Sequence, residues 1–249
     1  MEIMVAKSAG FCFGVSRAVS LAEEKAATGR VYTFGPIIHN EFEIQRLSSM
    51  GVIPVNDVNE IKKGDRVIIR SHGVPEKTEK ELAARGAEVF DATCPFVKKI
   101  HNIVSEYTEK GYTAVIFGNA GHPEVTGIAG RCRGAALTVA SEDEAMRISG
   151  ENEHICLVAQ TTANKEDYKK IIKIIKNTCK DTVFFDTICN ATMIRQQEAE
   201  ELSKQCDRMI VIGDRKSRNT NKLCDVASRH CKNVVLAESA DGIKKLALS

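Results

Sequence analysis

Three stretches of this chain repeat one order of landmarks. Each has an apolar run, a cysteine, an amphipathic stretch, a second apolar run ending in glycine, and a polar residue four places further on. The cysteines are Cys12 in AKSAGFCFGVSRAV, Cys94 in AEVFDATCPFVKKI and Cys189 in TVFFDTICNATMIRQ. Cys12 to Gly35 is 23 residues, Cys94 to Gly118 is 24 and Cys189 to Gly213 is 24. The polar residue after each glycine is His39, His122 and Ser217 in turn. The first two stretches then carry another apolar run with a polar end, VIIRSHG with His72 and LVAQTTA with Thr161 and Thr162. Self-similarity at a fixed period marks a supersecondary unit used repeatedly.

The unit itself is legible from its apolar pattern. Short runs such as Ile3–Ala6, Val31–Phe34, Val67–Ile69, Val115–Phe117, Ile155–Ala159, Val183–Phe185 and Met209–Ile212 read as strands. Between them lie helical patterns such as Val15–Lys25 and Lys165–Lys176. Runs that are continuous rather than alternating suit strands buried on both faces, and the strand–helix alternation predicts α/β units with mainly parallel sheets. Pro95, directly after Cys94, suits the first position of a helix. We expect one unit over 12–92, a second over 93–186, and a third over 187–249 completed by an N-terminal strand within 1–11. Ligands of α/β sheets bind at the carboxyl ends of strands, where every residue named above falls. A pseudo-threefold, trefoil-like arrangement would bring those ends together at a central site. The span from Gly35 to Ser71, carried forward from Gly213, reaches Ser249, so the third unit is expected to end before its second functional strand.

Composition removes several classes of function. The 35 basic and 33 acidic residues are interspersed, and aromatic residues are only 5% of the chain, which argues against a nucleic-acid surface. No apolar stretch approaches the roughly 20 residues that span a bilayer, and the first residues do not have the layout of a secretory leader. Nine cysteines, an odd number with no C-x-x-C pair, do not read as a disulfide framework. They suggest a reducing, cytoplasmic compartment in which thiolates serve metal binding or catalysis.

Cys12, Cys94 and Cys189 are the candidate metal ligands, each expected at a helix N-terminus that favours a thiolate. Three ligands leave one metal position open. Zinc is compatible, but widely spaced thiolates suit an iron–sulfur cluster with one iron free for substrate. The polar set reads as an anion site: His39, His72 and His122, with Ser217 and Asn219 near a further helix start. Glu124, in GHPEV, is the carboxylate of this set and the candidate proton donor. The remaining cysteines, at 132, 156, 179, 206, 224 and 231, lack the strand–Cys–helix context and are expected to be core or surface thiols.

These motifs, AKSAGFCFGVSRAV, GPIIHNE, RSHGV, DATCPFVKK, GNAGHPEV, AQTT, DTICNATMIRQ and KSRNTNKL, resemble the 4-hydroxy-3-methylbut-2-enyl diphosphate reductases over essentially the whole chain. The resemblance implies a 4Fe–4S cluster on Cys12, Cys94 and Cys189 with an open fourth iron. It implies that His39, His72, His122, Ser217 and Asn219 hold the diphosphate, with Arg218 counted in the same set, and that Glu124 and Thr161 act at the substrate hydroxyl. It implies three α/β domains in a trefoil, and reductive dehydroxylation to isopentenyl and dimethylallyl diphosphate with ferredoxin or flavodoxin as electron donor. Two departures stand out. Arg218 occupies a position where many relatives carry a small residue, and the Ala/Gly/Ser-rich segment that gives relatives another diphosphate-binding serine is not in the sequence. The alternatives are a three-cysteine 4Fe–4S dehydratase or synthase of another pathway, and a non-catalytic diphosphate-binding relative.

Overall fold

The computed structural model describes residues 2–148, 154–239 and 242–244. After helix α1 (Phe13–Ala26), a first sheet is built from β1 (Val31–Phe34), β2 (Val52–Val55), β3 (Arg66–Ile69) and β4 (Glu88–Asp91). Helices α2 (Glu41–Ser49) and α3 (Glu76–Ala84) lie between its strands in sequence. Helix α4 (Pro95–Glu109) leads into a second sheet of β5 (Thr113–Phe117), β6 (Ala136–Val139), β7 (His154–Ala159) and β8 (Asp181–Phe184). Helices α5 (Pro123–Ala129), α6 (Glu142–Arg147) and α7 (Lys165–Thr178) connect these strands. Helix α8 (Asn190–Ser203) precedes β9 (Met209–Ile212), α9 (Arg218–Ala227) and β10 (Val234–Ala237).

All strand pairings among the described residues are parallel. The sheet orders are β2-β1-β3-β4, β6-β5-β7-β8 and β10-β9. The second sheet thus repeats the permutation of the first, and the third repeats its first pair. The registers Val31↔Val52, Ala114↔Ala136 and Met209↔Val234 start the equivalent ladders. The central strands carry the continuous apolar runs. β5 and β7 are buried along almost their whole length, whereas edge strands β4 and β8 are half-exposed. Such two-sided burial is the reason parallel strands read as unbroken runs.

The chain divides into two compact bodies, residues 13–38 with 47–188, and residues 1–12 with 39–46 and 189–249. In the larger body, α1, β1, β3 and the residues after β1 share one core that includes Ala18, Ala22, Val31, Ile37, Ile38 and Ile68. A second core joins Ile100 and Val104 of α4 to Ile116, Val125, Ile128 and Val158. Val97, Ile100 and Val104 recur at helical spacing, so α4 turns one stripe inward. Fully burying such a side chain contributes about 1.5–3 kcal/mol, enough for a few positions per helix to fix its face. No helix among the described residues is long and apolar enough to cross a membrane.

One expected element is absent. Ile3–Ala6 forms no strand, and Ile3 and Val5 are 74% and 76% exposed. A short apolar run becomes a strand only where a ladder partner exists, and none is paired with it among the described residues. The chain just after it is instead fastened to α8 by polar contacts. Ser8 donates its backbone N–H to Glu198 at 2.9 Å, and the Arg195 guanidinium donates to the carbonyls of Ser8 and Gly10.

Candidate active site

The glycines that follow β5 and β9 have a packing cause. A Cβ on Gly118 would lie 2.9 Å from the Val125 side chain and 3.0 Å from Gln160, and a Cβ on Gly213 would meet Thr220. Val125 and Thr220 both sit in the first turn of the helix that follows. Without a side chain on the glycine, α5 and α9 close down over the ends of β5 and β9. The polar residues four places after the glycine are then the helix caps. His122 accepts the Glu124 N–H through Nδ1 at 3.1 Å, and Ser217 accepts the Thr220 N–H at 3.3 Å. The first unit differs by one residue. There Asn40 accepts the Glu43 N–H, and His39 stands just before it.

In the larger body the structure brings His72, His122, Glu124 and Thr161 together. The rings of His72 and His122 meet edge to face with centroids 5.3 Å apart. Because Nδ1 of His122 is an acceptor, the neutral ring carries its proton on Nε2. His72 follows β3 on a turn in which Gly73 adopts φ +71°. Glu124 is only 2% exposed. It accepts the Thr161 backbone N–H at 2.6 Å and the Thr161 hydroxyl at 2.9 Å. Thr161 is the second residue beyond the buried end of β7, with Gln160 between. Cys94 also belongs to this body, whereas Cys12, Cys189, His39, Ser217, Arg218 and Asn219 belong to the smaller one.

Burial pushes the Glu124 carboxyl up to about 7, and the two hydrogen bonds from Thr161, which pull the other way, do not offset it. This has a measurable effect on folding. Below its ordinary value of 4.5 the group is protonated in folded and unfolded chains alike. Between there and about 7 only the unfolded chain ionises, so stability is lost as pH rises through that window. At about 1.4 kcal/mol per pKa unit the loss is about 3 kcal/mol. Urea unfolding of wild type and Glu124→Gln across that range should give curves that diverge, with the variant gaining relative stability as pH rises. Parallel curves would mean the carboxyl is not held protonated.

The cysteines fall into two groups, and all nine are free thiols. Cys94 and Cys189 occupy the N-cap positions of α4 and α8, and Cys12 immediately precedes α1. The Cys94 N–H donates to the Ser71 carbonyl at 2.9 Å. The Cys189 sulfur accepts the Thr192 N–H at 3.3 Å and lies 2.9 Å from the Thr192 hydroxyl oxygen. Beside Cys94 runs bare backbone, since a Cβ on Gly14 would lie 2.5 Å from its sulfur. Cysteine sulfurs at helix N-termini, and the glycine cradle beside the Cys94 sulfur, are donor chemistry that an iron–sulfur group takes. By contrast, burial pushes Cys132 up to about 11 and Cys156 up to about 12, as expected for protonated core thiols.

Three further residues are not among the candidates read from the sequence. Gln160 is buried beside Thr161, and its Nε2 has no hydrogen-bond partner among the described residues. His101, inside α4, packs its ring against Gly73 and Gly127, and burial pushes it down to about 4, so it is neutral. Arg17 donates to the carbonyls on either side of Ala92, just before Cys94. Gln160 lies within AQTT and Arg17 within AKSAGFCFGVSRAV, but the roles of Arg17 and His101 emerge only from their tertiary contacts.

Comparison with known proteins gives a consistent result. The LytB protein family model matches residues 3–249. The 4-hydroxy-3-methylbut-2-enyl diphosphate reductase of Thermoanaerobacter sp. (strain X514) is 46% identical over 246 residues, 97% of this chain and 85% of that protein. A solved structure of (E)-4-hydroxy-3-methyl-but-2-enyl diphosphate reductase, described as the terminal enzyme of the non-mevalonate pathway, is 43% identical. It superimposes with a TM-score of 0.73 over 96% of this chain and 86% of its own. The E-1-hydroxy-2-methyl-but-2-enyl-4-diphosphate reductase of Plasmodium falciparum is 27% identical with a TM-score of 0.88, over 96% and 77% of the two chains.

Proposed function

The chain belongs to the LytB family of 4-hydroxy-3-methylbut-2-enyl diphosphate reductases, and we propose that its His72, His122, Glu124 and Thr161 form the wall that binds substrate and supplies a proton. Its reaction is the reduction of that allylic diphosphate, the terminal step of the non-mevalonate isoprenoid pathway. Removing the hydroxyl as water and leaving hydrogen on the allyl group takes two electrons and two protons. The iron–sulfur cluster of the family, when bound, supplies the electrons one at a time.

The observation that carries this reading is the buried Glu124 carboxyl gripped at both oxygens by Thr161. With its pKa raised to about 7, the carboxyl is divided between acid and carboxylate near neutrality. A general acid works best in that range. Thr161 holds the carboxyl in place, and its hydroxyl can redirect its hydrogen bond to the substrate oxygen. His122, with Nε2–H turned away from the cap bond, and His72 beside it present donors to the diphosphate. His39, Ser217, Arg218 and Asn219 complete the diphosphate set in this reading. Cys12, Cys94 and Cys189 would hold the 4Fe–4S cluster, which would supply the redox chemistry at the substrate hydroxyl. A ferredoxin or flavodoxin delivers the electrons, and nine free thiols suit a cytoplasmic setting. The repeated strand order supports the division into units 12–92, 93–186 and 187–249 with the N-terminal segment 1–11.

The test is anaerobic turnover of the allylic diphosphate with a chemical reductant. Isopentenyl and dimethylallyl diphosphate should form only when reductant is present. Loss of the hydroxyl without added reductant would point to non-redox dehydration and overturn the reading.

A further inference from the structure

Resting on the reading of Cys94 as a cluster ligand, we infer that Gly14 and Arg17, on one face of α1, are positioning residues that set the Cys94 sulfur for ligation. Residues three apart on a helix face the same way. Both meet the short loop that carries the chain from β4 to Cys94.

That loop is fixed from one side by the first sheet. The Ala92 N–H donates to the Ile69 carbonyl at 3.0 Å, and the Cys94 N–H to the Ser71 carbonyl at 2.9 Å. Asp91 adds an internal clasp, accepting the Thr93 N–H at 2.8 Å and the Lys98 ammonium at 2.6 Å. Burial pushes the Asp91 carboxyl up, but the hydrogen bonds from Lys98 and Thr93 outweigh it and hold the group below its usual range, so the clasp is ionised at neutral pH.

These contacts leave the carbonyls of Asp91 and Thr93 for Arg17. Its Nη2 donates to the first at 3.1 Å and its Nη1 to the second at 3.2 Å. A planar guanidinium spans two acceptors at once, and an ammonium has no such fixed fork. Arg17 therefore fixes the loop from the α1 side as the sheet does from the other. Gly14 then sets the approach. Its missing Cβ would fall 2.5 Å from the Cys94 sulfur and 3.2 Å from the Cys94 Cβ. Gly14 is buried within α1, where alanine is the better helix former. The helix alone would favour alanine there, and the sulfur is what excludes it. The two residues act in opposite senses: Arg17 pulls the loop toward α1, and Gly14 leaves room for the thiolate when it arrives.

The test uses the full chain isolated anaerobically, as wild type, Arg17→Met, Arg17→Lys, Gly14→Ala and Cys94→Ser. The readouts are iron per chain, the EPR spectrum of the reduced protein and the melting temperature. Arg17→Met and Gly14→Ala should each lose at least half of the bound iron or shift the EPR g-values, while melting close to wild type. Arg17→Lys, able to reach one carbonyl, should retain more iron than Arg17→Met. Wild-type iron and spectra in both Arg17→Met and Gly14→Ala would overturn the inference. Should Arg17→Met unfold, Gly14→Ala and Arg17→Lys decide the matter by the same criteria. Full iron in Cys94→Ser would instead overturn the ligand reading on which the inference rests.

Discussion

Glu124→Gln should lower turnover by about 10²-fold or more while leaving substrate binding nearly intact. The amide has the size of the carboxylic acid. Its oxygen can still accept the Thr161 N–H, and its NH2 can donate to the Thr161 hydroxyl, so both contacts that orient the group persist in altered polarity. What disappears is a transferable proton. The pH profile gives an independent readout. Because burial raises the Glu124 pKa to about 7, the acid form is lost as pH rises through that value, and wild-type turnover should fall there. Glu124→Gln should lack that limb. Near-normal turnover in the variant, or an unchanged alkaline limb, would mean that the proton comes from another group.

The second large effect concerns colour and iron. Serine at Cys12, Cys94 or Cys189 should each remove most of the bound iron and the brown colour of anaerobically isolated protein. A hydroxyl is a harder and far less acidic ligand than a thiol, so it replaces a thiolate poorly in iron–sulfur ligation. Cys132→Ser is the control, since burial pushes that thiol up to about 11 and leaves it a core residue. Iron retained in all three ligand variants, or a colourless wild-type protein holding a single zinc ion, would remove the cluster assignment. Melting temperatures separate ligand loss from unfolding, because each cysteine begins a helix whose packed face lies further along.

The architecture was legible in the sequence because its signals are local. The strand runs at Val31–Phe34 and Met209–Ile212 coincide with β1 and β9, and the spacing from cysteine to glycine anticipates the shared strand order of the sheets. Boundaries slipped where the deciding partner is remote. Val183–Phe185 is shifted to Asp181–Phe184 because the ladder with β7 pairs His154 with Asp181. Ile3–Ala6 has the composition of a strand but pairs with no strand among the described residues. The register of His39 with His122 and Ser217 slips by one because Asn40, a stronger capping residue, takes the cap. The candidate polar residues were visible because they end motifs. Their environment was not: nothing in GHPEV states that Glu124 is buried, and nothing in FGVSRAV states that Arg17 reaches across to the loop before Cys94.

The cap position after each strand-terminal glycine has a consequence for how such repeats diverge. At 122 and 217 one side chain both secures the helix start and stands at the strand end where ligands bind, through a ring nitrogen in one case and a hydroxyl in the other. The backbone asks only for a side chain that can accept a hydrogen bond close to its own backbone. Inheritance can therefore exchange histidine, serine, threonine or asparagine at this slot without redrawing the fold, and each copy can acquire its own chemistry. Alanine or leucine there would cost the helix its start as well as the site its donor. The slot is thus open to variation in chemistry and closed to variation in kind, which lets duplicated units specialise while remaining recognisable as copies.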